Sequence, residues 1–434
     1  MATDLRNTPI STSDPQTLAL YEQAVREYQS YVGDPTATLD RALADQPDFV
    51  LAHLFKAAVL ASFNERRFFE QARASIATAE ALLAKLERDE PARVRERGLL
   101  AACKLLVDGD STGACLAFDR VLVEFPCDIV ALQTAHLFDF ARGDAKNLRD
   151  RLTRVLPSWS ESMTGYSYVL GMRAFGLEEC NQYDEARASA ERALELERTD
   201  AWAVHAIVHV NEMRGRVDDG IRFLESREAD WAPHNGFAFH NFWHLALFNL
   251  EHGNTARVLE LYDQRVYPEP SDIALQMVDA SSLLWRLYLR GVDVGQRFER
   301  VADVWQTKLD GERGFYAFND VHAMMAFAAT GRHDLVARLA RDLEAPTTGT
   351  NAMMAREVGI PVARALAHFA TGSYERCIDE LVPVREIANR FGGSHAQRDL
   401  LTLTLIEAAR RSGHHADVRH FRNERNVPRA QYGW

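Results

Sequence analysis

No stretch of this 434-residue chain reaches the roughly eighteen uninterrupted apolar residues that a membrane-crossing helix needs, so no such helix is expected. Cysteine is scarce. Cys103, Cys115, Cys127, Cys180 and Cys377 form an odd set without a CxxC pair, which argues against a disulfide framework and against a cysteine zinc site. The start, MATDLRNTPISTSD, lacks a basic segment followed by an apolar one and does not read as a secretory signal. A cytoplasmic location with no membrane partner is therefore expected. Positive charge is in deficit too: the formal net charge is −12, which makes nucleic acid a poor partner. Neither GxGxxG nor GxxxxGK[ST] occurs, so no nucleotide cofactor is expected. Strand signals are equally thin, with few alternating β-branched runs and no Asn-Gly or Asp-Gly between two of them.

What the chain does have is a repeat. A helical stretch, a Gly or Asn, and a second helical stretch with a small residue soon after recur at Gly109, Gly143, Asn181, Gly215, Gly253, Gly291, Gly331, Gly372 and Gly413. Successive spacings are 34, 38, 34, 38, 38, 40, 41 and 41 residues. A left-handed residue that ends the first helix of each pair costs little when it is Gly or Asn. The segment YSYVLGMRAFGLEECNQYDEARASAERALELER shows the unit most clearly, with Tyr183, Ala186, Ala190, Ala193 and Leu194 where the second helix must pack closely. The pattern is that of a tetratricopeptide-like helix–turn–helix, whose period is about 34 residues. Before Gly109 it is fainter, and about eleven helix pairs are expected in all. The fold class predicted is all-α: one continuous helical-repeat superhelix over 1–434, with an arm at 1–17 and a tail at 426–434. With the curvature of ordinary arrays it would close around a central pocket.

Aligning the units on their turn residue gives the first helices a common register. The face that such arrays turn to the concavity then carries Trp202, His205, His209 and Glu212 in one unit. The next unit carries His240, Trp243, Leu247 and Leu250 there, with His244 beside Trp243. Spacings of i, i+4 and i+7 keep His205, His209 and Glu212 along one helix face. Later units add Asp279, Ser281 and Trp285, then Asp320 and His322, and then Ser394, His395, Gln397 and Arg398 at the helix start GGSHAQRD.

Several chemistries fit these residues. His205, His209, His240 and His244 could share a divalent transition metal, with Glu212 or Asp320 adding oxygen, although HExxH is absent. The same histidines, with His322 and the carboxylates Glu212 and Asp320, could act as general acid and base without a metal. Trp243, Asp279, Trp285, Arg398, Gln397 and His395 would then bind a small polar or anionic molecule. The bland alternative is histidines donating to carbonyls in the core. GGSHAQRD reads either as backbone N–H groups open to an anion or as a link capped by Ser394. Met324, Met325, Met353 and Met354 read as core, and Arg66, Arg67, Arg93, Arg95 and Arg97 as solvated helix faces.

The motifs AIVHVNEM, HNFWHLALFNLEHG, GVDVGQRFE, FNDVHAMMA and GGSHAQRDL, in that order, resemble the tetratricopeptide repeat protein 38 family over about residues 40–425. That resemblance implies a cytosolic helical-repeat protein, with no catalytic residues to carry over. His395 stands where animal members are expected to have Asn. The expected function is non-redox acid–base chemistry (hydrolase, lyase or isomerase) on a small molecule in the concavity. The alternative is a non-catalytic module for a peptide, a protein partner or a small ligand.

Overall fold

A computed structural model describes residues 2–86, 90–345 and 348–426, and among them every regular element is helical. In chain order these are α1 (Pro15–Ser30), α2 (Pro35–Asp45), α3 (Val50–Ser62), α4 (Arg66–Leu83), α5 (Pro91–Val107), α6 (Ser111–Glu124), α7 (Ile129–Ala141) and α8 (Ala145–Val155). They continue with α9 (Tyr166–Glu179), α10 (Tyr183–Leu196), α11 (Ala201–Met213), α12 (Val217–Ser226), α13 (Glu228–Trp231), α14 (Ala238–Glu251), α15 (Thr255–Leu261) and α16 (Ala274–Leu289). The last are α17 (Arg297–Glu312), α18 (Ala317–Ala329), α19 (His333–Glu344), α20 (Thr350–Met354), α21 (Ile360–Ala370), α22 (Tyr374–Leu381), α23 (His395–Arg411) and α24 (His415–Asn426). Apart from the short α13 and α20, they fall into helix–turn–helix pairs.

All nine turn residues named from the sequence, Asn181 included, have positive φ, between 61° and 85°. Asn64, between α3 and α4, does the same at 53° and marks a unit that the faint N-terminal pattern hides. Three of the six spacings above 34 have local causes: α13 lies in one link, α15 runs on into a π-helical turn at Tyr262–Val266, and α20 leads into another at Ala355–Gly359. Helix starts are written in the sequence. Asp14 and Asp34 cap helices whose first residue is proline, and Asp110, Asp128 and Asp144 each accept an amide N–H of the turn they begin.

Where one continuous domain is expected from the sequence, packing groups the chain into two compact units. The first comprises residues 1–207 and 229–237, and the second 208–228 and 238–434. The division passes through α11. In the first unit α8 and α9 approach so closely that a Cβ on Gly176 would stand 2.4 Å from the Leu148 carbonyl. The 229–237 segment returns to this unit: the Gly236 amide donates to the Tyr31 carbonyl, and Phe237 stacks on the Tyr31 ring.

Two expectations are corrected in the first unit. Residues 2–14, read as part of an arm, are packed down: Arg6 is 2% exposed and donates to both carboxylate oxygens of Glu22, with Asp4 3.3 Å away. Arg95, read as part of a solvated face, is 1% exposed and donates to Asp128, to the Pro9 carbonyl and to the Tyr21 hydroxyl. Burial alone would lower the Arg95 pKa, but Asp128, Tyr21 and Asp4 outweigh it and the guanidinium is held charged. A polar cluster of this kind is invisible to a helical-period reading, because each member sits on an otherwise ordinary helix. The methionine expectation stands for Met324, Met325 and Met354, which are at most 3% exposed.

Asp200, which begins α11 by accepting the Ala203 amide, is fully buried. Burial pushes its carboxyl up to about 7, against the hydrogen bonds that favour the anion. An unfolded aspartate titrates near 3.9. Between those values the folded protein holds the extra proton, so this group's contribution makes stability fall as pH rises from about 4 through about 7. Asp200→Asn keeps a capping oxygen and removes the charge. The variant is expected to melt higher than the parent at pH 8 and not higher at pH 5. Equal melting differences at the two pH values would contradict this.

Candidate functional site

The second unit gathers three of the four central histidines. His209 comes from the C-terminal half of α11, and His240 and His244 from successive turns of α14. One ring nitrogen from each lies within 4.8 Å of the others. The His209 and His244 rings are 4.6 Å apart by centroid, and those of His240 and His244 are 4.9 Å apart at 85°. All three are buried, His209 and His244 completely.

Carboxylates one repeat away fix two of these rings. His240 Nδ1–H donates to Asp279 on α16 at 2.7 Å, and His244 Nδ1–H donates to Glu212 on α11 at 2.9 Å. Fixing Nδ1 as the donor leaves Nε2 as the lone-pair nitrogen of each ring. Burial, followed by the charges of His209, His240 and Arg286, drives the His244 pKa well below the ordinary value. Burial raises that of Asp279, with His240 acting against it. Trp243 lies at 12° to the His240 ring, donates Nε1–H to Ser282, and carries the Arg286 guanidinium 5.3 Å above its own ring. The Ser282 hydroxyl in turn donates to the Asp279 carbonyl. The α14 histidines are thus held from three sides by side chains that are themselves buried and bonded.

His205, one turn before His209 on α11, belongs to the first unit, where Phe175 and Phe237 flank its ring at 5.2 and 5.1 Å. His322 donates Nδ1–H to the Phe318 carbonyl of its own helix, and burial lowers its pKa to about 4. Asp320 accepts the Gly314 amide, and the carboxylates that hold α14's rings are Glu212 and Asp279. Trp285 is fully buried, donates to Thr404 and packs on Tyr288 and Phe369. At GGSHAQRD the Ser394 side chain and Gln397 form a reciprocal capping box, so the helix-start amides they engage are satisfied internally. Arg398 donates to the Gly393 carbonyl and to His395 Nδ1.

Ser282 and Arg286, which the sequence reading passed over, are close partners of the centre. The repeat itself carried the signal for Ser282: it lies 39 residues after Trp243, as Asp279 lies 39 after His240.

No protein-family model matches the chain. Among solved structures it is similar to the human IFIT1 dimer with m7Gppp-AAAA, at 12% identity over 96% of each chain with a TM-score of 0.45. It is also similar to the APC/C hetero-tetramer Cut9–Hcn1 (12%, 92% of this chain and 79% of that one, 0.40) and to yeast Tom70 (12%, 86% and 90%, 0.38). Likeness at these values carries no statement about what this chain binds. The tetratricopeptide-like character rests on its own helix pairs and turns. Among the described residues, no helix is long and apolar enough to cross a membrane.

Proposed function

We propose that the second unit holds a divalent transition-metal ion at His209, His240 and His244 and uses it on a small polar or anionic molecule. The chemistry is hydrolase, lyase or isomerase work without electron transfer. The observation that carries this reading is the pair of Nδ1–H···carboxylate bonds, His240 to Asp279 and His244 to Glu212, on rings that converge with a third imidazole. Carboxylates in that position orient a metal-binding imidazole and raise its basicity. Nitrogens around tetrahedral zinc, at about 2.0–2.1 Å from the metal, stand about 3.4 Å apart, not far below the 4.8 Å ceiling found here.

Three imidazoles would leave one tetrahedral position for water or substrate, and a metal held by His209, His240 and His244 would supply an acidic bound water and a Lewis acid. The chain's own residues do the rest. Asp279 and Glu212 keep the tautomer, and Trp243 with Ser282 fixes the plane of His240. Membership of the tetratricopeptide repeat protein 38 family belongs to this reading and rests on the ordered motifs. So does a cytoplasmic, reducing location, for which the five free cysteines speak.

Elemental analysis of the full chain after gentle purification tests the metal, with about one equivalent of zinc or a related ion expected. A screen of small esters, anhydrides and hydratable carbonyls, with and without chelator, then separates catalysis from binding alone. Stoichiometric metal with no chelator-sensitive turnover would favour the binding module. Absence of metal uptake would remove the reading.

A further inference from the structure

On the second unit, α16, α23 and α24 line a cavity of about 80 Å³ with Arg286, Arg290, Arg422 and Arg425 among its walls; Arg286 also donates to the Ser282 and Ala396 carbonyls, and Arg290 to the Leu250 carbonyl. Arg286 and Arg425 are 3% and 6% exposed. Such a concentration is unexpected in a chain of net charge −12. The carboxylates around it are already engaged. Asp399 pairs with Arg425, Glu251 with Arg425 and Arg290, and Glu407, the one acidic wall residue, is held by Arg410 and Arg411. The cavity lining therefore carries four arginines to one glutamate, and positive charge is gathered on a concave, partly buried surface. Arg290 registers this: burial lowers its pKa, Glu251 opposes the fall, and Arg425 adds to it.

We propose that this cavity binds a small tetrahedral oxyanion of the phosphate or sulfate class. Guanidinium groups on separate helices offer the forked donors that such oxygens accept, and an anion relieves the crowding of like charge among them. The volume suits an inorganic anion or the phosphoryl head of a larger molecule, because sites for whole drug-sized ligands run to about 300–1,000 Å³. Sequence reasoning looked for the anion at Arg398. The capping box occupies that helix start, and the arginine-lined cavity lies against later turns of α23, at Leu403, Ile406 and Glu407. The inference does not depend on a metal at the histidines.

Isothermal titration of the chelator-treated full chain with inorganic phosphate, with sulfate and with ethyl phosphate tests it, using acetate at matched ionic strength as the control. One saturable site for the tetrahedral anions, absent for acetate, is expected, and ethyl phosphate tells a free anion from a phosphoryl head. Arg422→Gln, on a half-exposed side chain, and Arg290→Gln should each weaken binding at least tenfold. Arg198→Gln, 73% exposed on the first unit, should leave it unchanged. Circular dichroism identifies a variant that has lost its fold, and the other variant then decides. No saturable binding to the parent, or an unchanged affinity in folded Arg422→Gln, would overturn the proposal.

Discussion

Replacing His244 by alanine is expected to lower the affinity of the metal-stripped chain for zinc at least a hundredfold. The ring supplies one of three converging nitrogens and is fully buried between His209 and His240. The substitution also removes the His244 donor from buried Glu212, so stability should fall by about 1–3 kcal/mol. That loss alone would not distinguish a ligand from a core residue. Asp279→Asn makes the distinction, because it keeps volume and hydrogen-bonding capacity near His240 and changes only the carboxylate. If His240 is a ligand, Asp279→Asn should weaken zinc about ten- to a hundredfold with the fold intact. If the couple is purely structural, zinc affinity should be the same in parent and Asp279→Asn. Titration calorimetry against a competing chelator reads both variants.

The second large effect concerns the first unit. Asp128→Ala is expected to cost about 3–5 kcal/mol of unfolding free energy, because it strands a buried guanidinium. Asp128 meets Arg95 at 2.6 Å with both side chains at 0% exposure, and its other oxygen accepts the Ala131 amide that begins α7. The double replacement Asp128→Asn with Arg95→Met should recover part of the loss, since it removes the charge along with its partner. Denaturant unfolding of the three proteins tests this. A loss under about 1 kcal/mol in Asp128→Ala would mean that Asp4 and the Pro9 carbonyl suffice for Arg95.

What the sequence made legible follows from what is local. A left-handed residue after a helix leaves a Gly or Asn at regular intervals, and every one of the nine named positions has the positive φ that this requires. The shared face of neighbouring first helices follows from that register, which is why His205, His209, His240 and His244 could be named together. The carboxylate partner was half legible. Glu212 sits one repeat before His244 and does hold it, whereas Asp320 lies two repeats beyond His240, past the neighbouring first helix that carries Asp279. In stacked pairs, contacts run between adjacent repeats, so the residue about one period away is the one to choose. Arg6, Arg95 and the arginine-lined cavity were not legible. Their partners are far off in sequence, at Glu22, Pro9, Asp128 and Glu251, and no periodicity marks them. GGSHAQRD held both readings until the Ser394–Gln397 box was seen.

The proposed metal site is tested most directly by anomalous diffraction from crystals of the full chain grown with zinc, recorded on both sides of the zinc edge. One strong peak, bonded by nitrogens of His209, His240 and His244 while Asp279 and Glu212 hold the opposite sides of the α14 rings, is the expected result. Zinc bound at surface carboxylates, with no anomalous density between the three imidazoles, would contradict it.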